Sequence, residues 1–338
     1  MKVLVHFQQS PKYDNFQGAR LRKTIKSALE MLSVPYTDTP VGDFEIAHLM
    51  YPVDDGILFE LSERNIPIVV SALYCEDDPT ASYIEYKNKD GNITFSIKSK
   101  FIKFLDRVDL VLVPNESAKE FLKKEGVNTR IEVCPVGTNL ARFDFSRDDE
   151  KDIFYRYFSC DRNKKIAIAV GDSTSEIDGL SVVLDAANVC EDVNFYYFTK
   201  SEKGYKLKRH IRKIIKKLPK NVFVTNMVPD DVYRSALLNA DVFMHPGYRP
   251  AGVVSLYEAM AAKCQIIMRK KEFLADYIID QDTAYVASYT ETLAGITKDY
   301  FEGKIKPTID KAYKMVSKYN IKVFGDKLLS YYQELLKK

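Results

Sequence analysis

The stretch from Ala240 to Ile267, ADVFMHPGYRPAGVVSLYEAMAAKCQII, decides how the rest of the chain is read. Val242 to Met244 is a short apolar run of strand type, and Pro246-Gly247 breaks it. Ala251 to Ala262 suits a helix, and Gln265 to Met268 begins the next strand. Glu258 falls about two turns into that helix. A helix that starts just beyond a parallel strand presents free backbone N–H groups, which form an anion site. Gly252, Val253 and Val254 are therefore candidates to cradle a diphosphate, while Glu258 accepts hydrogen bonds from ribose hydroxyls.

Working outward, apolar strands alternate with amphipathic helices along the whole chain, which predicts a parallel α/β architecture. In the first half the expected strands are Val3 to Phe7, Ile46 to Met50, Ile68 to Ser71, Leu110 to Val113 and Ile131 to Val133. In the second they are Ile166 to Val170, Asn194 to Phe198, Val222 to Thr225, Val242 to Met244, Gln265 to Met268 and Ala284 to Val286. Between the two series lies a charged segment containing DFSRDDEKD, which reads as a linker with a leading helix. A length of 338 residues fits two such cores. The expected division is 1–150 for a first Rossmann-like domain and 151–320 for a second. The last helix, Val323 to Leu336, belongs to a segment 321–338 that returns to the first domain.

Composition narrows the class. An apolar content of 46% is that of a globular chain rather than a disordered one. No run approaches the ~20 apolar residues that span a bilayer, and the chain enters its first strand without a signal-peptide layout. The expected location is the cytoplasm. Five cysteines, widely spaced and without a CxxC pair, suit reduced thiols rather than a disulfide framework or a zinc site. The net charge of +3 is unevenly spread: Lys203 to Lys220 holds nine Lys/Arg and no acid, with Leu207, Ile211, Ile214, Ile215 and Leu218 at helical spacing. Lys98, Lys100 and Lys103 likewise interleave with Phe101, Ile102, Phe104 and Leu105. Such segments either dock on an anionic membrane surface or pack their apolar stripe on the sheet and leave the lysines solvated. Without a recognition motif, the charge gives no case for nucleic acid.

The pattern of strand, Asp-led apolar run, Pro, turn and Glu-Ala-Met-Ala resembles the donor-site signature of the family 4 retaining glycosyltransferases, whose two-domain fold is GT-B. Gly18 to Arg20, Val111 to Pro114, IEVCPVGTNLARF from Ile131, Val170-Gly171 and PKNVFVTNMVPDDVYRSALLNAD from Pro219 follow in family order. The branch it is most similar to is the Gram-positive and mollicute one that includes diacylglycerol glucosyltransferases. The resemblance implies transfer of a hexose from a nucleotide-sugar, UDP-linked, to a glycolipid or cell-surface glycan, with retention and without a metal or other cofactor. It implies donor-binding roles for Gly18, Gly171, Arg249, Gly252, Val253, Val254 and Glu258, and catalytic roles for Glu258 and for His48, which matches a family histidine. The implied setting is the inner face of the plasma membrane, and the implied protein partner is a second copy or a paralogous glycosyltransferase.

Three departures stand against this. The family places a glutamate eight positions before Glu258, where this chain has Pro250. It places cations in the turn after the first strand of the second domain, where this chain reads VGDSTSEIDGL, with Asp172, Glu176 and Asp178. Carboxylates beside a diphosphate repel it: two unit charges ~4 Å apart interact by ~4 kcal/mol at an effective dielectric of 20. Arg249, Arg269 and a lysine of the Lys203 to Lys217 helix are the expected substitutes, and a divalent ion on Asp172 or Asp178 is a further option. After the third strand, Leu73 and Tyr74 stand where the branch has a histidine, with Glu76-Asp77-Asp78 retained. Together these departures leave open a catalytically degenerate GT-B protein that serves as partner or scaffold of an active glycosyltransferase.

Overall fold

The structure, a computed structural model, describes residues 1–7, 17–50, 55–76, 78, 84–87, 92–143, 148–171, 176–199, 216–226, 228–274 and 276–337. Two six-stranded parallel sheets organise it. The first is ordered β2(Tyr36–Thr37), β1(Val3–His6), β3(Ile46–Met50), β4(Ile68–Ser71), β7(Leu110–Val113), β8(Ile131–Val133). The second is ordered β11(Val222–Asn226), β10(Val193–Thr199), β9(Lys165–Gly171), β12(Val242–His245), β13(Gln265–Arg269), β14(Tyr285–Ala287). A hairpin of β5(Ile84–Lys87) and β6(Asn92–Phe95) stands apart. The inner strands are largely buried and mostly apolar, as suits parallel sheets covered by helices on both faces.

Helices α1(Gln17–Met31), α2(Asp55–Glu63), α3(Ser99–Leu105) and α4(Glu116–Lys124) link the first sheet. Then follow α5(Asp148–Phe158), α6(Leu180–Val189), α7(Asp230–Asn239), α8(Val253–Ala261), α9(Thr290–Phe301), α10(Ile309–Ser317) and α11(Ile321–Leu335). Asn320 caps α11 by accepting from the amides of Lys322 and Val323, 3.1 Å each, a role that suits an Asn side chain at a helix start. α11 then lies on the first sheet's side. Gly325 lets it approach Ala28 of α1 and Leu32 just beyond it, and Glu334 makes a two-pronged ion pair with Arg130, 2.6 and 3.0 Å.

In the second sheet the order is that of a doubly wound nucleotide-binding fold, with β9 and β12 as neighbours at the point where the winding reverses. The C-terminal ends of these strands, Gly171 and His245, mark the crevice where ligands of such sheets bind. One contiguous apolar cluster runs from Val3 and Ile25 through Val254 and Tyr257 to Ile168 and Tyr196. The two halves are therefore packed closely on each other around α8.

α3 answers one of the two surface questions. Ile97, Phe104 and Leu105 are buried in the first sheet's core, and Lys98, Lys100 and Lys103 are exposed. The apolar stripe serves the fold, so any pull toward an anionic surface comes from charge alone. The other basic stretch lies outside the described residues over positions 200–215. Among the described residues no helix is long and apolar enough to cross a membrane, and the five cysteines are free thiols.

Candidate functional site

α8 begins at Gly252 in a backbone conformation, φ +123°, that a side chain rarely tolerates. A Cβ there would stand 2.6 Å from both Glu76 Cγ and His245 Nε2. Glycine is thus required twice over, by φ and by the approach of a carboxylate from the opposite half. The first helical amide, Val253 N–H, donates to the Tyr74 carbonyl at 3.0 Å. Gly252, Val253 and Val254 do form the start of a helix at the switch point, and residues 74 to 76 of the first half already fill its polar end. Gly171 closes β9 where a Cβ would collide with the Tyr197 hydroxyl.

Glu258 lies one and a half turns along α8, 7% exposed, and its carboxylate meets the guanidinium of Arg20 from α1 in a buried interdomain ion pair. Gly18 is buried in the first turn of the same helix. Arg20 lies over the Tyr233 ring, 4.3 Å from its centroid. Burial by itself pulls the Arg20 pKa down, but Glu258, Tyr233 and Asp230 outweigh it and hold it above its ordinary value. Next to Glu258 a narrow crevice is lined by Lys23, Thr24, Asn139 and Arg142. Asp230, at the start of α7, pairs with Arg142 at 2.7 Å and Lys23 at 3.9 Å.

The acid in place of the family's cation is neutralised. Asp178 is buried, accepts from Arg249 Nε at 2.7 Å, and offers its main-chain oxygen to Tyr197 at 3.0 Å. Arg249 therefore does stand at the cleft, bound to the carboxylate it was expected to offset. Arg269, named as another cation for the diphosphate, goes elsewhere. Its guanidinium bonds to the carbonyls of Pro246 and Ser288 and to Thr290, and stacks 3.9 Å from the Tyr248 ring centroid. It holds the loops after β12 and β14 together. Asp172, the Glu176 side chain and the lysines before position 216 lie outside the described residues.

His48 does not reach the cleft. It sits on an inner strand, fully buried, with Nδ1 2.5 Å from the Tyr332 hydroxyl and Nε2 2.8 Å from Ser71 Oγ. Burial drives its pKa down to about 3, so the ring is neutral. Nδ1 ties the ring to α11 and Nε2 ties it to β4, so both nitrogens are used, which corrects the catalytic expectation: a group locked under a helix cannot touch a substrate.

The cation that sequence reasoning missed is Lys271, just after β13. Its Nζ is 3.0 Å from Glu76 Oε1 and 3.3 Å from His245 Nε2, and His245 Nε2 also contacts Glu76 Oε1. All three side chains are buried, Glu76 coming from the first half and the other two from the second. Burial would raise the Glu76 pKa, but the charges of His245 and Lys271 hold it down at about 2. Burial lowers both His245 and Lys271, against the pull of Glu76. The retained acid at Glu76 was the available signal, since an acid in a turn that enters the cleft needs a cation opposite. Among the described residues no group of three or more His, Cys, Asp or Glu is arranged to hold a metal ion.

Comparison with known proteins gives this geometry a context. Residues 159–319 match the family model described as Glycosyl transferases group 1. The chain is 22% identical over 342 residues to the processive diacylglycerol alpha-glucosyltransferase of Acholeplasma laidlawii, covering 100% of this chain and 99% of that one. Among solved structures it is similar to Anabaena Alr3699/HepE in complex with UDP and glucose, with TM-score 0.74, 13% identity, and 99% and 100% of the two chains covered. It is also similar to a glycosyltransferase from Rickettsia africae ESF-5, with TM-score 0.68, 14% identity, and 100% and 99% covered. The fold is GT-B, and the match to the group 1 glycosyltransferase model falls on its second half, over residues 159–319.

Proposed function

We propose that the chain is a retaining glycosyltransferase that moves a hexose from a UDP-linked donor to a glycolipid or cell-surface glycan at the inner face of the plasma membrane. The observation that carries the reading is the placement of α8: its N-terminus opens at the switch point of the second sheet, and its Glu258 faces the first half across the cleft. On this reading the diphosphate lies at the α8 N-terminus, where backbone N–H groups and the helix dipole stabilise the charge that develops as the sugar leaves. Glu258 accepts from the ribose hydroxyls, and its ion pair with Arg20 keeps its carboxylate aimed. Turnover needs no metal in this scheme, because the departing charge is met by the helix end and by side-chain cations. On the same reading the chain divides at about residue 150, with 321–338 returning to the first domain, and donor and acceptor lie on opposite walls. The relative from Acholeplasma laidlawii supports the lipid acceptor.

Incubation with UDP-glucose and vesicles containing diacylglycerol, followed by lipid chromatography and release of UDP, tests this. Glycolipid formation supports the reading. UDP release without lipid product redirects the acceptor to soluble glycans, and neither product from any common nucleotide-sugar removes the transferase.

A second reading has its own observation. Pro250 replaces a carboxylate, Asp178 consumes Arg249, and Glu76 fills the polar end of α8. A catalytically degenerate protein that scaffolds a second copy or a paralogous glycosyltransferase would keep the fold and lose the chemistry. It predicts no turnover by the purified chain and a stable complex in cross-linking with such a partner.

A further inference from the structure

The Glu76, His245 and Lys271 cluster is unusual in what it spends. Three ionisable side chains are buried together at the N-terminus of α8, and the one anion among them comes from the opposite half of the molecule. Burying charged groups is costly unless they are paired and hydrogen-bonded, so Lys271 requires an anion at this place. Two further observations show that the first half is shaped to deliver one. Leu73, buried just after β4, has φ +64°, a conformation unfavourable for a bulky side chain. The turn is held in it by the Asp78 carboxylate, which accepts from Leu73 N–H at 2.6 Å. From this braced turn Tyr74 offers its carbonyl to the first amide of α8, and Glu76 lies against Gly252.

We infer that the Glu76 carboxylate is an internal stand-in for the donor's diphosphate, occupying an anion subsite made by Lys271, His245 and the first turn of α8. This rests on the reading of the cleft as a nucleotide-sugar site and names the cation that takes the diphosphate there. The position supports it: Arg249 is paired with Asp178 and Arg269 with backbone carbonyls, whereas Lys271, among the described residues, is directly paired with the carboxylate that lies against the helix start. The chemistry supports it as well. Glu76 and a phosphate both offer anionic oxygens to the same Lys ammonium, the same imidazole and the same end of a helix dipole, so the two exclude one another. Separation of the halves withdraws Glu76 and leaves Lys271 and His245 on the donor side. When no donor is bound, the carboxylate closes the cleft and keeps two buried basic groups satisfied.

Competition predicts changes of opposite sign, which a merely structural role for the cluster does not. Affinities for UDP and for uridine are measured by calorimetry on the full chain, wild type, E76Q, and the double variant E76Q/K271M, with melting curves to verify folding. Pairing K271M with E76Q avoids leaving a buried carboxylate alone. E76Q is expected to bind UDP about 3- to 10-fold more tightly, since the competitor has lost its charge. The double variant is expected to bind UDP at least about 10-fold more weakly than E76Q, as for loss of a charge-assisted contact. Uridine, lacking phosphates, is expected to change by less than about 2-fold throughout. Wild type that binds UDP while E76Q binds it equally or more weakly overturns the inference and leaves the transferase reading standing. So does a double variant that matches E76Q, or uridine shifts as large as those for UDP. Wild type that binds neither UDP nor UDP-glucose removes the reading and the inference together. If the double variant does not fold, the E76Q arm decides by its sign.

Discussion

The ion pair between Arg20 and Glu258 joins α1 of the first half to α8 of the second, and its removal has a magnitude that follows from its burial. Arg20 is 2% exposed and Glu258 7%. Among the described residues Arg20 Nε and Nη1 have no hydrogen-bond partner, so the guanidinium depends on Glu258 and on the Tyr233 ring face. Glu258→Ala leaves a buried cation without its counter-ion, which destabilises by about 3–5 kcal/mol. Arg20→Met leaves a carboxylate beside the crevice lined by Lys23 and Arg142, where water and these cations relieve it. Its expected cost is about 1–3 kcal/mol. The double variant Arg20→Met/Glu258→Ala removes both charges, and its cost falls below the sum of the singles by about 2 kcal/mol or more.

Urea unfolding at pH 7 of the four proteins, followed by far-UV circular dichroism and tyrosine fluorescence, gives the cycle. With two halves the transition need not be two-state, so the probes are compared before any free energy is extracted. Because the pair crosses the cleft, the single variants should also show the two probes separating, as one half unfolds before the other. Additivity of the two singles within about 0.5 kcal/mol would refute the reasoning, since residues in a real buried pair cannot be independent.

The neutral buried His48 makes the fold acid-sensitive. Between pH 6.5 and about 3 the unfolded chain takes up a proton that the folded ring refuses, so stability falls as pH falls through that window. At pH 5 the contribution is about 2 kcal/mol. His48→Gln should flatten the pH 7 to pH 5 difference in urea midpoint relative to wild type, and an unchanged difference refutes the assignment. Gly252→Ala should destabilise by about 2 kcal/mol or more, from its φ of +123° and the approach of Glu76 and His245, as read by thermal melting. Lys98, Lys100 and Lys103 carry charge without a spare apolar stripe. Any binding through α3 should therefore appear on anionic vesicles only, be released by salt and be lost on triple alanine substitution, at about 1 kcal/mol per cation. Equal sedimentation with neutral vesicles would contradict it.

The legible part of the fold was the part buried on both faces. Runs such as IAIAV from Ile166, IVVS from Ile68 and LVLV from Leu110 have no polar face to confuse the reading, and the structure gives each a neighbouring strand on both sides. The edge strand Tyr36–Thr37 and the hairpin of Ile84–Lys87 with Asn92–Phe95 were not foreseen, because short polar strands carry too little periodicity. In the site, the start of α8 and the position of Glu258 on it came from a local strand–turn–helix pattern. The partner of Glu258 did not, since Arg20 lies 238 residues away and only the packing of the halves joins them.

His48 was misplaced and Lys271 passed over for one physical reason seen from opposite sides. A histidine in an apolar strand looked like a site residue because of the family it resembles, while nothing in the sequence around Lys271 marks it as a buried cation. Which way each points depends on what covers the end of its strand. α11 covers His48, through Tyr332, and turns a polar ring into a core contact. At Lys271 the cover is the turn 73–76 of the other half, and that cover is itself an acid. A lysine under an apolar lid would be driven toward its neutral form, whereas under Glu76 it has a reason to remain charged. The electrostatics of the cleft are therefore properties of the closed pair of halves. The chemistry of the donor side has to be argued with the first half in place, because each half alone presents a different set of charges to a ligand.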